Sequence, residues 1–135
     1  MNFTLIRPAR ADIDAQLGLV RPAFNGVPNA KYEFEFCCEA VKRKRASFYQ
    51  LKGEGVNVRF VGYVTDDNEY LILAMTGKGM INAAPTIIDA VKAQGYAAIK
   101  FHSIHRGMVR ALKPFGFEVI QKSEHENVLK LTLEG

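Results

Sequence analysis

Glu69-Tyr70-Leu71-Ile72-Leu73-Ala74-Met75-Thr76-Gly77-Lys78-Gly79-Met80-Ile81 is the stretch whose reading decides the fold. Glu69 to Met75 is an apolar run of strand length, and Thr76-Gly77-Lys78-Gly79 punctuates it as a glycine turn. Beyond the turn, Ile81, Ala84, Ile87, Ile88 and Val91 recur at the spacing of a helix that buries one face. Pro85 is compatible with the first turn of a helix, so the pattern predicts a start near Asn82 and a stop at Gly95. A second strand over Tyr96–His102 and a short helix from about His105 then lead to Gly116-Phe117. A glycine turn at the positive end of a helix dipole exposes backbone N–H groups, which makes it a candidate anion cradle. The alternative is a plain joint between strand and helix.

Upstream, Asn2 to Pro8 reads as a short strand with Phe3 and Leu5 on one face and Ile6 on the other. Ile13, Leu17, Val20 and Phe24 mark a helix over Ala9–Phe24, broken around Arg21 by Pro22. Phe34, Cys37, Cys38 and Val41 mark a second helix over Tyr32–Arg45. From Ala46 the period changes to two. Gly53-Glu54-Gly55 and Asp66-Asp67-Asn68 then turn three strands into an antiparallel meander, and the crossover helix returns the chain to the sheet. Downstream, Glu118–Gln121 and Val128–Leu133 close a hairpin around a polar turn from Ser123 to Glu126. The expected fold class is α/β (α+β): a mixed, mostly antiparallel twisted sheet of about six to seven strands flanked by about four helices, in one domain over residues 1–135.

The 135 residues are 48% apolar and 24% charged, the balance of an ordinary globule with one core. No apolar run approaches the roughly 18 residues that span a bilayer, so no membrane segment is expected. The N-terminus lacks a basic region followed by an apolar block, so no secretory signal is expected either. Cys37 and Cys38 are adjacent and are the only cysteines, which excludes a disulfide framework and favours a reducing, cytoplasmic setting. A net charge of +4 suits an anionic partner. The basic run Lys42-Arg43-Lys44-Arg45 reads as the solvated end of a helix. A nucleic-acid face is not expected, because Phe48 and Tyr49 sit in an alternating strand that buries one of them.

Thr76-Gly77-Lys78-Gly79-Met80-Ile81, followed by strand, short helix and Leu112-Lys113-Pro114-Phe115-Gly116-Phe117, resembles the GNAT N-acetyltransferase superfamily. The acetyl-CoA motif of that family is Gln/Arg-x-x-Gly-x-Gly/Ala, and its later helix usually bears a tyrosine four residues before Gly-Phe. The resemblance covers the middle and end of the chain, and the first third in outline. It implies a GNAT-like fold, acetyl-CoA as cosubstrate, and direct acetyl transfer to a primary amine of a small molecule or protein. Backbone amides of Gly77, Lys78, Gly79, Met80 and Ile81 would hold the CoA phosphates. Lys78 would add a charge-assisted contact, or would be a solvated loop lysine. Main-chain N–H groups of Leu73, Ala74 and Met75 would polarise the thioester where the central strand splays from its neighbour. The resemblance leaves room for a homodimer or a protein partner.

The amine must lose a proton, and Ala98, Lys100 and His102 share one face of the strand that follows the crossover helix. His102 is therefore the candidate general base, against a structural or solvent-facing histidine. Glu69 is the second candidate, because family members often place a glutamate on the central strand; its alternative is a strand-end charge paired with lysine. Three positions depart from the family pattern. Thr76 replaces Gln or Arg, Ile81 replaces Gly or Ala, and Leu112 replaces the tyrosine and cannot protonate a leaving thiolate. Those departures also resemble phage-encoded GNAT-like proteins. They support a second reading, a catalytically inactive binding or assembly module. His102 and His105 have no cysteine or carboxylate at ligand spacing, so no metal is expected. Gly-x-Ser-x-Gly and Gly-x-Gly-x-x-Gly are both absent, which removes the nucleophile-elbow and dinucleotide-binding readings.

Overall fold

The computed structural model describes residues 1–103, 106–124 and 126–133. His105, where the sequence starts its last helix, lies outside the described residues, as does residue 125 of the closing turn. Seven strands form one sheet: β1 (Asn2–Leu5), β2 (Ala46–Gly53), β3 (Val56–Val64), β4 (Glu69–Lys78), β5 (Ala98–Ser103), β6 (Glu118–Lys122) and β7 (Asn127–Thr132). The helices are α1 (Ile13–Gly18), α2 (Ala30–Lys42), α3 (Met80–Ala93) and α4 (Arg106–Leu112), with 3-10 turns at Arg21–Phe24 and Lys113–Phe115. The strand order is β1-β2-β3-β4-β5-β7-β6. Only β4 and β5 are parallel; every other neighbouring pair is antiparallel. The mixed sheet and four α-helices match the fold class expected from the sequence.

Each face of the sheet carries its own core. On one side α3 and α4 cover Phe60, Tyr70, Ile72, Ile87, Ile99 and Leu112. On the other, α1 and α2 cover Ile6, Leu17, Val41, Phe48, Val61 and Ala74. Phe48 and Val41 are 1% and 0% exposed, and removing each such side chain from water contributes roughly 1.5–3 kcal/mol. The basic run lies where α2 ends. Lys42 pairs with Asp14 at 2.6 Å, Arg43 pairs with Glu39 at 2.6 Å, and these side chains are solvated. Surface pairs of this kind contribute little stability. Lys44 takes the left-handed conformation (φ 61°), and the N–H groups of Lys44 and Arg45 donate to the Val41 and Ala40 carbonyls. That closes the last turn as a glycine usually would.

Two local expectations are corrected. Thr76, Gly77 and Lys78 are strand, not turn, because β4 runs on and pairs Lys78 with Asn57 of β3. A Cβ on Gly77 would sit 2.2 Å from the Asn57 carbonyl oxygen, and one on Gly79 would sit 2.3 Å from that of Gly55. The glycines are needed where the strand end presses against the β2–β3 hairpin, a demand that local sequence does not reveal. The helix also begins earlier than Asn82. With α3 starting at Met80, Pro85 lies in the second turn, inside the helix. It therefore supplies no N–H to the Ile81 carbonyl, and one rung of the helical ladder is missing there.

Candidate functional site

β4 and β5 are paired from Glu69↔Ala98 to Ile72↔Phe101 and then part. On its other side β4 remains joined to β3, but the register steps from Gly62↔Ile72 to Val61↔Ala74. Leu73 is the extra residue of a β-bulge and has no cross-strand partner on either neighbour. The bulge sends two consecutive side chains, Leu73 and Ala74, to the α1–α2 face, while Ile72 and Met75 face α3 and α4. Where the strands diverge, a cleft of about 810 Å³ opens. Its floor is the Leu71–Gly77 part of β4. One wall is the segment from Pro22 to Phe36, and the other includes Phe101, His102, Met108 and Glu126.

The wall formed by the 3-10 turn and the start of α2 is tied to the sheet by side chains. The Thr76 hydroxyl donates to the Leu19 carbonyl at 2.8 Å, and Arg59 Nε donates to Gln16 Oε1 at 3.1 Å. Thr76, short as it is for the family position, thus anchors the chain just before the Arg21–Phe24 turn. Beside the cleft, an apolar cavity of about 40 Å³ lies between α3, α4 and the sheet. Met75, Met80 and Met108 border both spaces.

The cofactor candidates divide between these surroundings. Leu73, Ala74, Met75, Gly77 and Met80 line the cleft. Lys78 is an exposed residue at the end of β4, and Gly79 is the left-handed cap of α3 (φ 79°). Ile81 is 38% exposed and borders the small apolar cavity. No side chain caps the α3 N-terminus, and its first internal bond runs from the Ala83 N–H to the Gly79 carbonyl. The N–H groups of Met80, Ile81 and Asn82 precede that bond and have no partner within the helix.

The two acid–base candidates are far apart in role. His102 lines the cleft at the open end of β5, and its Nδ1 lies 3.3 Å from Glu126 Oε1. A contact to an ionised carboxylate places the proton on Nδ1, so the neutral ring presents Nε2 as an acceptor. Glu126 is held in place by a tight turn: its N–H donates to the Ser123 hydroxyl at 3.1 Å, and its carbonyl accepts from the Ser123 N–H at 2.9 Å. The sequence did not reveal this partner, because Glu126 is 24 residues from His102 and carries no local signal. Glu69 instead sits at the closed end of β4. Its carboxylate is bound by Lys100 at 2.8 Å and Lys130 at 2.7 Å, and its side chain is 8% exposed. The hydrogen bonds from Lys100 and Lys130 hold its carboxyl below the usual carboxylate range. The structure therefore does not bring Glu69 to the cleft. Burial pushes the Cys37 thiol up to about 12 and also raises that of Cys38, so neither is a thiolate nucleophile at neutral pH. Among the described residues, no three His, Cys, Asp or Glu side chains are grouped to hold a metal ion. Among those residues, also, no helix is long and apolar enough to cross a membrane.

No protein-family model matches this sequence, and no curated protein matches it. Solved structures do resemble it in shape. An acetyltransferase from Bacillus subtilis in complex with CoA superposes with a TM-score of 0.68 at 15% identity, over 98% of this chain and 99% of that one. A GNAT family acetyltransferase from Elizabethkingia anophelis with acetyl-CoA bound gives 0.68 at 10% identity, over 98% and 97%. The ribosomal-protein-S18-alanine N-acetyltransferase from Escherichia coli gives 0.65 at 13% identity, over 99% and 96%. At such identities the likeness establishes architecture, and the chain has the GNAT fold.

Proposed function

We propose that the protein is an acetyl-CoA-dependent N-acetyltransferase, a single-domain cytoplasmic enzyme that acetylates a primary amine. The observation that carries the reading is the parting of β4 and β5 at Leu73, which opens a cleft between an uncapped helix N-terminus and a histidine–carboxylate pair. The residues present fit the cosubstrate. The first-turn N–H groups of α3 would bind its diphosphate, and Lys78 adds positive charge nearby. The floor from Leu73 to Met75 would hold its pantetheine arm, and main-chain N–H groups there would meet the thioester oxygen. Acetyl-CoA supplies the activated acyl group. The chain's own contribution is to bind, to orient, and to take a proton from the incoming ammonium at His102 Nε2, with Glu126 fixing the ring. Glu69 takes no part and serves as a structural ion pair.

Isothermal titration with acetyl-CoA, paired with a mass-spectrometric assay over an amine panel, tests this reading. His102→Ala should lower kcat by roughly 100-fold, the low end for general-base loss, and leave acetyl-CoA affinity unchanged. Absence of binding at millimolar acetyl-CoA would overturn the assignment. One observation favours a second reading. Leu112, at the family's tyrosine position, is 7% exposed and packs in the core, so no hydroxyl stands there to protonate a leaving thiolate. A non-catalytic binding module of the phage-encoded kind would then bind a partner and turn over no amine.

A further inference from the structure

The polar inventory of the cleft is one-sided. Among the described residues it is lined by two carboxylates, Glu33 and Glu126, and by no lysine or arginine. This occurs in a chain with 18 basic and 14 acidic side chains. Glu126 is engaged with His102, whereas the Glu33 carboxylate has no ion pair or hydrogen bond among the described residues. Glu33 is the acidic residue in the first turn of α2, where a negative charge favours the helix dipole. It is also half-buried and turned into the cleft. Phe36 lies one turn further along the same helix, lines the same wall, and is 47% exposed. A carboxylate beside an open aromatic face recognises an organic cation on an apolar arm. His102 stands on the opposite wall, so a ligand that reaches both walls carries one cationic centre apart from its reacting nitrogen.

Resting on the transferase reading above, we infer that the acceptor is a dicationic alkyl diamine, with Glu33 and Phe36 holding one ammonium and presenting the other to His102. The presented ammonium gives a proton to His102 Nε2. The freed nitrogen forms its bond to the acyl carbon as the carbon–sulfur bond breaks. CoA leaves as the thiolate; the amide nitrogen sheds its second proton, which passes through solvent to the sulfur, and His102 releases the proton it took to bulk solvent. The retained ammonium stays charged on Glu33 throughout.

The test titrates wild type, Glu33→Gln and Glu33→Asp with 1,4-diaminobutane and with n-butylamine, each with and without acetyl-CoA, after thermal melts establish that all three are folded. Wild type should bind the diamine about tenfold more tightly than the monoamine, the effect of one charge-assisted contact. That preference should fall to about twofold or less in Glu33→Gln and partly persist in Glu33→Asp. Acetyl-CoA affinity should be the same in all three. Equal affinity for both amines in wild type, or a preference that survives Glu33→Gln, would overturn the diamine inference while bound acetyl-CoA leaves the transferase reading standing. A Glu33-dependent preference in a protein that does not bind acetyl-CoA would overturn the acceptor role instead.

Discussion

The two ends of β4 are held by opposite means. At the closed end, β4 and β5 are hydrogen-bonded neighbours, and Glu69 draws together Lys100 of β5 and Lys130 of β7. That clamp uses side chains and joins three strands across parallel and antiparallel pairings. At the open end β5 has departed, and β4 stays paired with β3, with Gly77 and Gly79 pressed against the β2–β3 hairpin and the Thr76 hydroxyl bonded to Leu19. The contrast shows how a sheet can hold a permanent gap between two strands. One end is pinned by charge, the other is supported from its far side, and the bulge at Leu73 lies between them.

The open end should be the more fragile. Gly77→Ala places a Cβ against a carbonyl oxygen at a backbone φ of 126°, and should cost about 2–4 kcal/mol in denaturant unfolding. A smaller loss than that of Glu69→Gln would break the comparison. Glu69→Gln should cost about 1–3 kcal/mol, the loss of charge-assisted bonds at a buried site. Its pH dependence follows from the depressed carboxyl. The stabilisation is fully present above the ordinary glutamate value near 4.5 and is lost as pH falls through the lower folded value. The stability gap between wild type and Glu69→Gln should therefore close in acid, and a gap that widens below pH 4.5 would contradict the clamp. The smallest effect belongs to Thr76→Val, which removes the bond to Leu19 and should cost about 0.5–1 kcal/mol. Hydrogen exchange should quicken over residues 19–29 and stay unchanged at Glu69, separating the two ends.

Elements set by local signals were more legible in the sequence than the contacts that shape the open end. Apolar spacing placed α3 and the meander, and paired turn residues placed the β2–β3 hairpin, because those signals are local. Gly77 and Gly79 marked an interruption, yet their cause is a hairpin about 20 residues earlier. The apolar run from Tyr70 to Met75 has no alternation in which a bulge could show. His102 was visible as a strand-end histidine, but Glu126 and Glu33 reach the cleft through tertiary folding and have no spacing that points to it.

The extra residue at Leu73 also acts as a phase inverter. Before it, the even-numbered side chains Tyr70 and Ile72 look toward α3, and after it the odd-numbered Met75 does. Excising Leu73 would leave Ile72, Ala74, Met75 and Thr76 alternating as in an unbroken strand, with the same β3 partners and the strut to Leu19 kept. A single inserted residue thus shapes the backbone at the gap and leaves the side chains beyond it facing as they would without it.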